Sequence, residues 1–244
     1  MTQIQEHQLV PFHAQTLPCM DGPWLVLAPH PDDESIGMGG TLAKAARMGI
    51  ATHLVVLTDG ALGGAHSNLV QIRQQEVQAA ARCLGIKTIH FVDEPDRGLH
   101  VHAQLLQRIA GLIMQLKPAA VFFPGVQEFH PDHRNAALLL WQALQALGPA
   151  APQAIAYEIT GQSPANCLVD ISDVVAVKEQ AIAAYPSQMR EKNYWELAQA
   201  LNKLRTLTLP PQVAWAEAFY RFSKQELQLT LVEWARMRVA TPLL

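Results

Sequence analysis

Cysteine is scarce: Cys19, Cys83 and Cys167 are the only three in 244 residues. Their number is odd and no two stand at a C-x-x-C spacing, which excludes a disulfide framework and a cysteine-based metal site. Reduced, mostly buried thiols in a cytoplasmic protein are expected. Charge is sparse as well, at 16% of residues, and 18 Lys plus Arg nearly balance 21 Asp plus Glu. With a net charge of −3 and no basic run, the chain has no electrostatic footing for nucleic acid or an anionic membrane. No apolar segment approaches the ~20 residues that a membrane-spanning helix needs. The first residues, MTQIQEHQLVPFHAQTLPCM, lack the basic start and apolar stretch of a secretory signal, so none is expected.

Apolar residues, by contrast, are plentiful at 50%. A chain of this length can fill one sizeable core, and two independent domains would be cramped. The apolar runs are short and recur. WLVLA (24–28), THLVVLT (52–58), TIHFV (88–92), AAVFF (119–123) and AIAYEI (154–159) read as buried strands. Between them, Ile36 to Met48, Leu69 to Leu84, His102 to Leu116 and His133 to Leu147 carry helical spacing. Gly49, Gly85 and Gly148 stand where three of these helices would end. Strand and helix in alternation predict an α/β fold, a mostly parallel sheet with helices on its faces. Ligands in such folds gather at the carboxyl ends of the strands.

After about residue 160 the rhythm changes. CLVDIS (167–172) suits a strand, 174–185 and 194–207 suit helices, and Pro210–Pro211 interrupts the chain before AWAEAFYRF. No linker or repeat marks a second domain. One domain over 1–244, with its core at about 23–222 and an irregular C-terminal extension closing over the sheet, is the expected arrangement.

Polar chemistry collects behind two strands. LVLAPHPDDESIGMGG (25–40) places His30, Asp32, Asp33 and Glu34 directly after the first strand. HPDHRN places His130, Asp132 and His133 after the strand at 119–123, with Pro131 able to open a helix. Brought together at neighbouring strand ends, these imidazoles and carboxylates suit a zinc site of three protein ligands with one position left open. Asp32 and Asp33 are neighbours whose side chains diverge, so one can ligate while the other serves as general base. Spacing alone leaves that assignment open either way round.

The same residues resemble the LmbE-like/PIG-L family of zinc-dependent de-N-acetylases, which share a strand followed by (P/A)HPDDE and a later HPDH. IRQQEVQAAARCLGI (72–86), EPDRGL (94–99), KEQAIAAYPSQ (178–188) and AEAFYRF (216–222) are similar to further family segments, in order. The resemblance implies a Rossmann-like fold and Zn²⁺ held by His30, Asp33 and His133. It also implies Asp32 as general base, and His130 as the group that stabilises the oxyanion or protonates the leaving amine. Asp132 would orient and charge His130, while Arg73 and Asp96 would contact the substrate. The activity implied is removal of an N-acyl group, chiefly acetyl, from an amino sugar. The alternative is a zinc amidase for a thiol conjugate or other small amide. A small amino-sugar substrate, no nucleic acid and no membrane are the implied partners, and a homo-oligomer sharing its site between subunits stays open. The mycothiol branch of the family carries a Tyr just ahead of HPDH; here Glu128 and Phe129 stand there. Members anchored in membranes begin with an apolar helix that this chain lacks.

Other readings are blander. Glu34 suits a first helical turn through the helix dipole alone. Arg73 could be a surface partner of Glu76, and His100 and His102 solvated residues at a helix start. His66 could shape access through the glycine-rich loop, and Trp195, Trp215 and Trp234 suit packing. GMGGTLA with Asp59 hints at a dinucleotide fingerprint. That hint fails because PHPDDESI separates the strand from Gly37 and its carboxylates would repel a pyrophosphate.

Overall fold

The computed structural model describes Gln5 and residues 10–240. Within them, eight strands form one sheet in the order β1-β7-β8-β6-β5-β2-β3-β4. The strands are β1 (Ala14–Gln15), β2 (Trp24–Ala28), β3 (Thr52–Thr58), β4 (Thr88–Glu94), β5 (Ala120–Pro124), β6 (Gln153–Tyr157), β7 (Cys167–Asp170) and β8 (Ala216–Arg221). The helices of eight or more residues flanking the first six strands are α1 (Asp33–Arg47), α2 (Leu69–Leu84), α3 (Ala103–Leu116) and α4 (Pro131–Leu147). Strands β2 to β6 pair in parallel, as the strand–helix alternation predicts.

Every residue of β2, β3 and β5 is buried, because helices cover both faces of the sheet. The pleat sends alternate side chains to opposite sides. Trp24, Val26 and Phe122 join one apolar cluster with α1 and α2, whereas Leu25, Leu27 and Phe123 join another with α3 and α4. Gly49, Gly85 and Gly148 each adopt positive φ at a helix end, the backbone form that the missing Cβ permits.

After the two-residue edge strand β1, the chain crosses to β2, builds outward through β3 and β4, then returns to β2's other side as β5. That reversal is the topological switch point at which open α/β sheets bind ligands. Both acidic-histidine motifs lie at the carboxyl ends of these two strands.

The change of rhythm after residue 160 goes further than an extension over the sheet. β8 inserts between β6 and β7, antiparallel to both, so the C-terminal part completes the sheet itself. Helices α5 (Val175–Ala183), α6 (Pro186–Glu191) and α7 (Tyr194–Leu204) pack beside α1 and α2, and α8 (Leu231–Ala240) closes the described chain. Among the described residues no helix is long and apolar enough to cross a membrane. The thiols depart from expectation: all three are free, but only Cys167 is buried, Cys19 is half-buried and Cys83 is exposed.

Candidate metal centre and active site

Chain direction reverses sharply between β2 and α1. Asp32 holds φ at 120°, a value that L residues rarely adopt and that stores strain where the site is built. This turn aims Asp33 back at His30: Asp33 Oδ2 accepts the His30 backbone N–H at 2.8 Å and lies 3.2 Å from His30 Nδ1. At the end of β5, His130 caps α4, with its Nδ1 accepting the Asp132 N–H at 3.2 Å, and Pro131 occupies the first turn. His133, one turn in, is thereby carried inward.

Three ligand atoms from these two motifs form a nearly equilateral triangle. His30 Nδ1 and Asp33 Oδ2 are 3.2 Å apart, His133 Nε2 and Asp33 Oδ2 3.3 Å, and His133 Nε2 and His30 Nδ1 3.3 Å. A tetrahedral ion with bonds of about 2.0–2.1 Å requires ligand–ligand edges of about 3.3–3.4 Å. The outer nitrogen of each imidazole faces a carboxylate. His30 Nε2 lies 3.1 Å from Asp132 Oδ2 and 3.4 Å from Asp96 Oδ1, and His133 Nδ1 lies 3.4 Å from Glu128 Oε2. With protons on these outer nitrogens alone, both inner lone pairs would turn, with that of Asp33, toward one point. Carboxylates behind ligating histidines set the tautomer in just this way.

Two other sets also bring ligand atoms within 4.8 Å of one another: His30 with His130 and His133, and His30 with Asp96 and Asp132. The helix cap occupies His130 Nδ1, and Asp96 and Asp132 face His30 from its outer side. The triangle with Asp33 is the donor set whose edges and tautomers together fit a divalent ion.

Without an ion, protons take its place between these atoms. Burial would lower the His133 imidazole, but Asp33 and Glu128 raise it to about 9, and burial would raise the Asp33 carboxyl, but the charged His133 and His30 imidazoles hold it well below the usual carboxylate range. A divalent ion would displace the inner protons. Burial raises the Asp32 carboxyl to about 7 despite the pull of Arg73. A carboxyl near neutrality suits proton transfer at physiological pH. Burial, then the charges of His30 and His133, lower His130. With Nδ1 spent on the cap, its single proton sits on Nε2 as a hydrogen-bond donor.

Several of the implied partners have other settings. Asp132 meets the His130 ring through its backbone N–H rather than its carboxylate, which takes His30 Nε2 and the backbone N–H groups of Arg97 (2.7 Å) and Leu99 (3.2 Å). Arg73 is buried rather than on the surface. It donates to Gly60 O at 3.2 Å, to Asp32 Oδ2 at 3.2 Å and to Pro31 O, which spends its amino groups on the loops that carry the site. Cβ atoms at Gly60 and Gly63 would lie 2.8 and 2.5 Å from Arg73 Nη1, so the glycines of this loop are what let it wrap the guanidinium. Asp96 accepts Leu62 N–H at 3.0 Å and faces His30, again using both oxygens inside the protein.

Other residues carry weight that their types did not advertise. Glu128 orients His133 while fixing Ile159 N–H (2.8 Å) and Thr160 N–H (3.2 Å). Its only signal in the sequence was its position ahead of HPDH. Glu34 is wholly buried and accepts the Tyr185 hydroxyl at 2.5 Å, which joins the start of α1 to the C-terminal segment. Burial, followed by the charges of Asp32 and Asp33, raises the Tyr194 phenol. His102 caps α3 instead of standing free, whereas His66 and His100 are exposed. Trp234 is buried, and Trp195 and Trp215 pack against the core, as expected for packing residues.

Residues 25–144 match the family model described as PIG-L, GlcNAc-PI de-N-acetylase. Diacetylchitobiose deacetylase of Thermococcus kodakarensis is 34% identical over 207 residues, covering 76% of each chain. The chain belongs to the PIG-L (LmbE-like) family. Among solved structures, the conserved protein TT1542 from Thermus thermophilus is similar with 31% identity and a TM-score of 0.73, covering 82% of this chain and 94% of its own. N,N'-diacetylchitobiose deacetylase from Pyrococcus horikoshii shares 25% identity with a TM-score of 0.78, covering 92% of both. PIG-L membership makes the protein a hydrolase of the N-deacetylase kind.

Proposed function

We propose that the protein is a zinc-dependent deacetylase of N-acetylated amino sugars, with the ion held by His30, Asp33 and His133. The observation that carries this reading is the triangle of inner lone pairs, whose edges of 3.2, 3.3 and 3.3 Å suit tetrahedral zinc. All-nitrogen-and-oxygen donors and a position left for solvent or substrate are the pattern of a catalytic site rather than a structural one. When bound, the ion supplies Lewis acidity, polarising the amide carbonyl and acidifying a water.

The chain's own residues do the rest. Asp32 takes the proton of the attacking water, held in place by its strained backbone and by Arg73. His130, neutral and fixed by the helix cap, donates from Nε2–H to the carbonyl oxygen as it gains charge. The water oxygen bonds to the carbonyl carbon, the C–N bond breaks, and the proton collected by Asp32 passes to the departing amine. Acetate and a free amino sugar result. On this reading the substrate is a small diffusible molecule and the reaction runs in the cytoplasm; three free thiols suit a reducing compartment.

The test is release of free amine from N-acetylglucosamine, N,N'-diacetylchitobiose and N-acetylglucosaminyl malate, by protein stripped with a chelator and reloaded with zinc. Turnover that disappears on stripping and returns with zinc is expected. Turnover of simple amides but of no acetamido sugar would move the assignment to a general zinc amidase.

A further inference from the structure

In the loop ahead of α4, Glu128 is buried and His130 half-buried, whereas Phe129 between them is exposed. Phe129 is 68% exposed, among the most exposed of the large apolar residues, and it stands beside His130 with ring centroids 6.5 Å apart at 63°. Single exposed apolar residues are ordinary on protein surfaces. This one differs in how firmly it is presented. On its amino side, Glu128 is pinned by Ile159 N–H and Thr160 N–H. On its carboxyl side, His130 is locked as the cap of α4. From below, Arg134 donates to Glu128 O and, at 3.0 Å, to Phe129 O. The backbone is held on three sides and the phenyl ring is left exposed to solvent beside His130.

We propose that Phe129 is the platform for the second ring of a disaccharide or longer N-acetylated saccharide, stacking against that ring's C–H face while the acetamido group of the first ring reaches the metal centre. This rests on the deacetylase reading above and adds to it a substrate class. The axial hydrogens of a pyranose offer an apolar face to an aromatic ring, and rigid aromatics bind at little entropic cost. Arg134, the cation nearest in the chain, is turned onto backbone carbonyls, and on the loop joined to Asp96 a second large apolar side chain, Leu62, is exposed at 55% alongside polar His66, Ser67 and Asn68.

The experiment compares zinc-loaded wild type with Phe129→Ala and Phe129→Trp. Two quantities are read: kcat and KM for N,N'-diacetylchitobiose and for N-acetylglucosamine, and calorimetric Kd for both sugars in an Asp32→Asn background. Phe129→Ala should lower the disaccharide-to-monosaccharide affinity ratio about tenfold, equivalent to about 1.4 kcal/mol, through KM rather than kcat. Phe129→Trp should keep the ratio. An unchanged ratio in Phe129→Ala, or loss of kcat on both sugars alike, would overturn the platform. Failure of the deacetylase reading looks different: no amine is released by wild type, yet calorimetry still shows the Phe129-dependent preference for the disaccharide. If neither sugar binds to the zinc-loaded protein, both readings fall.

Discussion

Two clusters of buried charge lie on the same helix, α1, and they are built on opposite plans. Midway along it, where Met38 leaves helical geometry, Glu217 of β8 accepts the N–H groups of Gly40 (2.9 Å) and Thr41 (2.7 Å). Lys178 then donates to Glu217 at 2.7 Å and to Asn202 at 2.8 Å. One cation meets one anion, both wholly buried, and the network closes on itself. Burial lowers the Lys178 ammonium, and Glu217 restrains that fall. At the head of the helix the arithmetic is different. Asp32, Asp33, Asp96, Asp132 and Glu128 outnumber Arg73, and two imidazole nitrogens stand 3.3 Å apart beside the Asp33 carboxylate. A closed network holds structure, while a cluster with surplus negative charge and convergent donors is made for a cation from outside. Buried charge alone marks neither; the balance does.

Substitutions can break the contrast. The largest effect should come from Asp32→Asn, which keeps the donor triangle but removes the base: turnover should fall about 10²–10⁴-fold. Zinc content by atomic absorption should match wild type, and near-normal turnover would refute the role of Asp32. In the closed network, Lys178→Met strands the Glu217 carboxylate. It should cost about 3–5 kcal/mol of stability in denaturant unfolding, with zinc stoichiometry per folded molecule preserved. Loss of zinc without loss of stability would mean that the two clusters are one. Glu128→Gln should act more gently, leaving fold and stoichiometry intact while zinc affinity, titrated against a competing chelator, falls about 10–100-fold. A fall as severe as that of a ligand deletion would promote Glu128 to direct contact with the ion.

The contrast also explains what could be read from the residues alone. β2, β3 and β5 were plain because strands buried on both faces are uninterrupted apolar runs. The two motifs were plain because their polar residues sit directly behind such runs, where folding alone gives no reason for them. β8 was hidden: AEAFYR carries Glu217 and little β-branching, so a core strand looks like an exposed segment. Lys178 hid the buried face of α5 in the same way. The bonds Arg73 makes to Pro31 and Asp32 span 42 and 41 positions, and the one between Asp132 and His30 spans 102. No local spacing reports such distances. Motifs name the chemistry's participants, and only the fold decides which carboxylate stands behind which imidazole.

The carboxylate that caps the broken middle of α1 comes from 177 positions further along the chain. On the ribosome, amino-terminal segments emerge first, at about 5–20 residues per second. His30, Asp33 and the first turns of α1 are therefore in place long before Glu217 exists to steady them. A nascent chain cut short between α4 and β8 carries His30, Asp33 and His133, yet it lacks the strand that completes the sheet and the anion that steadies the helix. Synthesis must pass β8 before the molecule can become an enzyme.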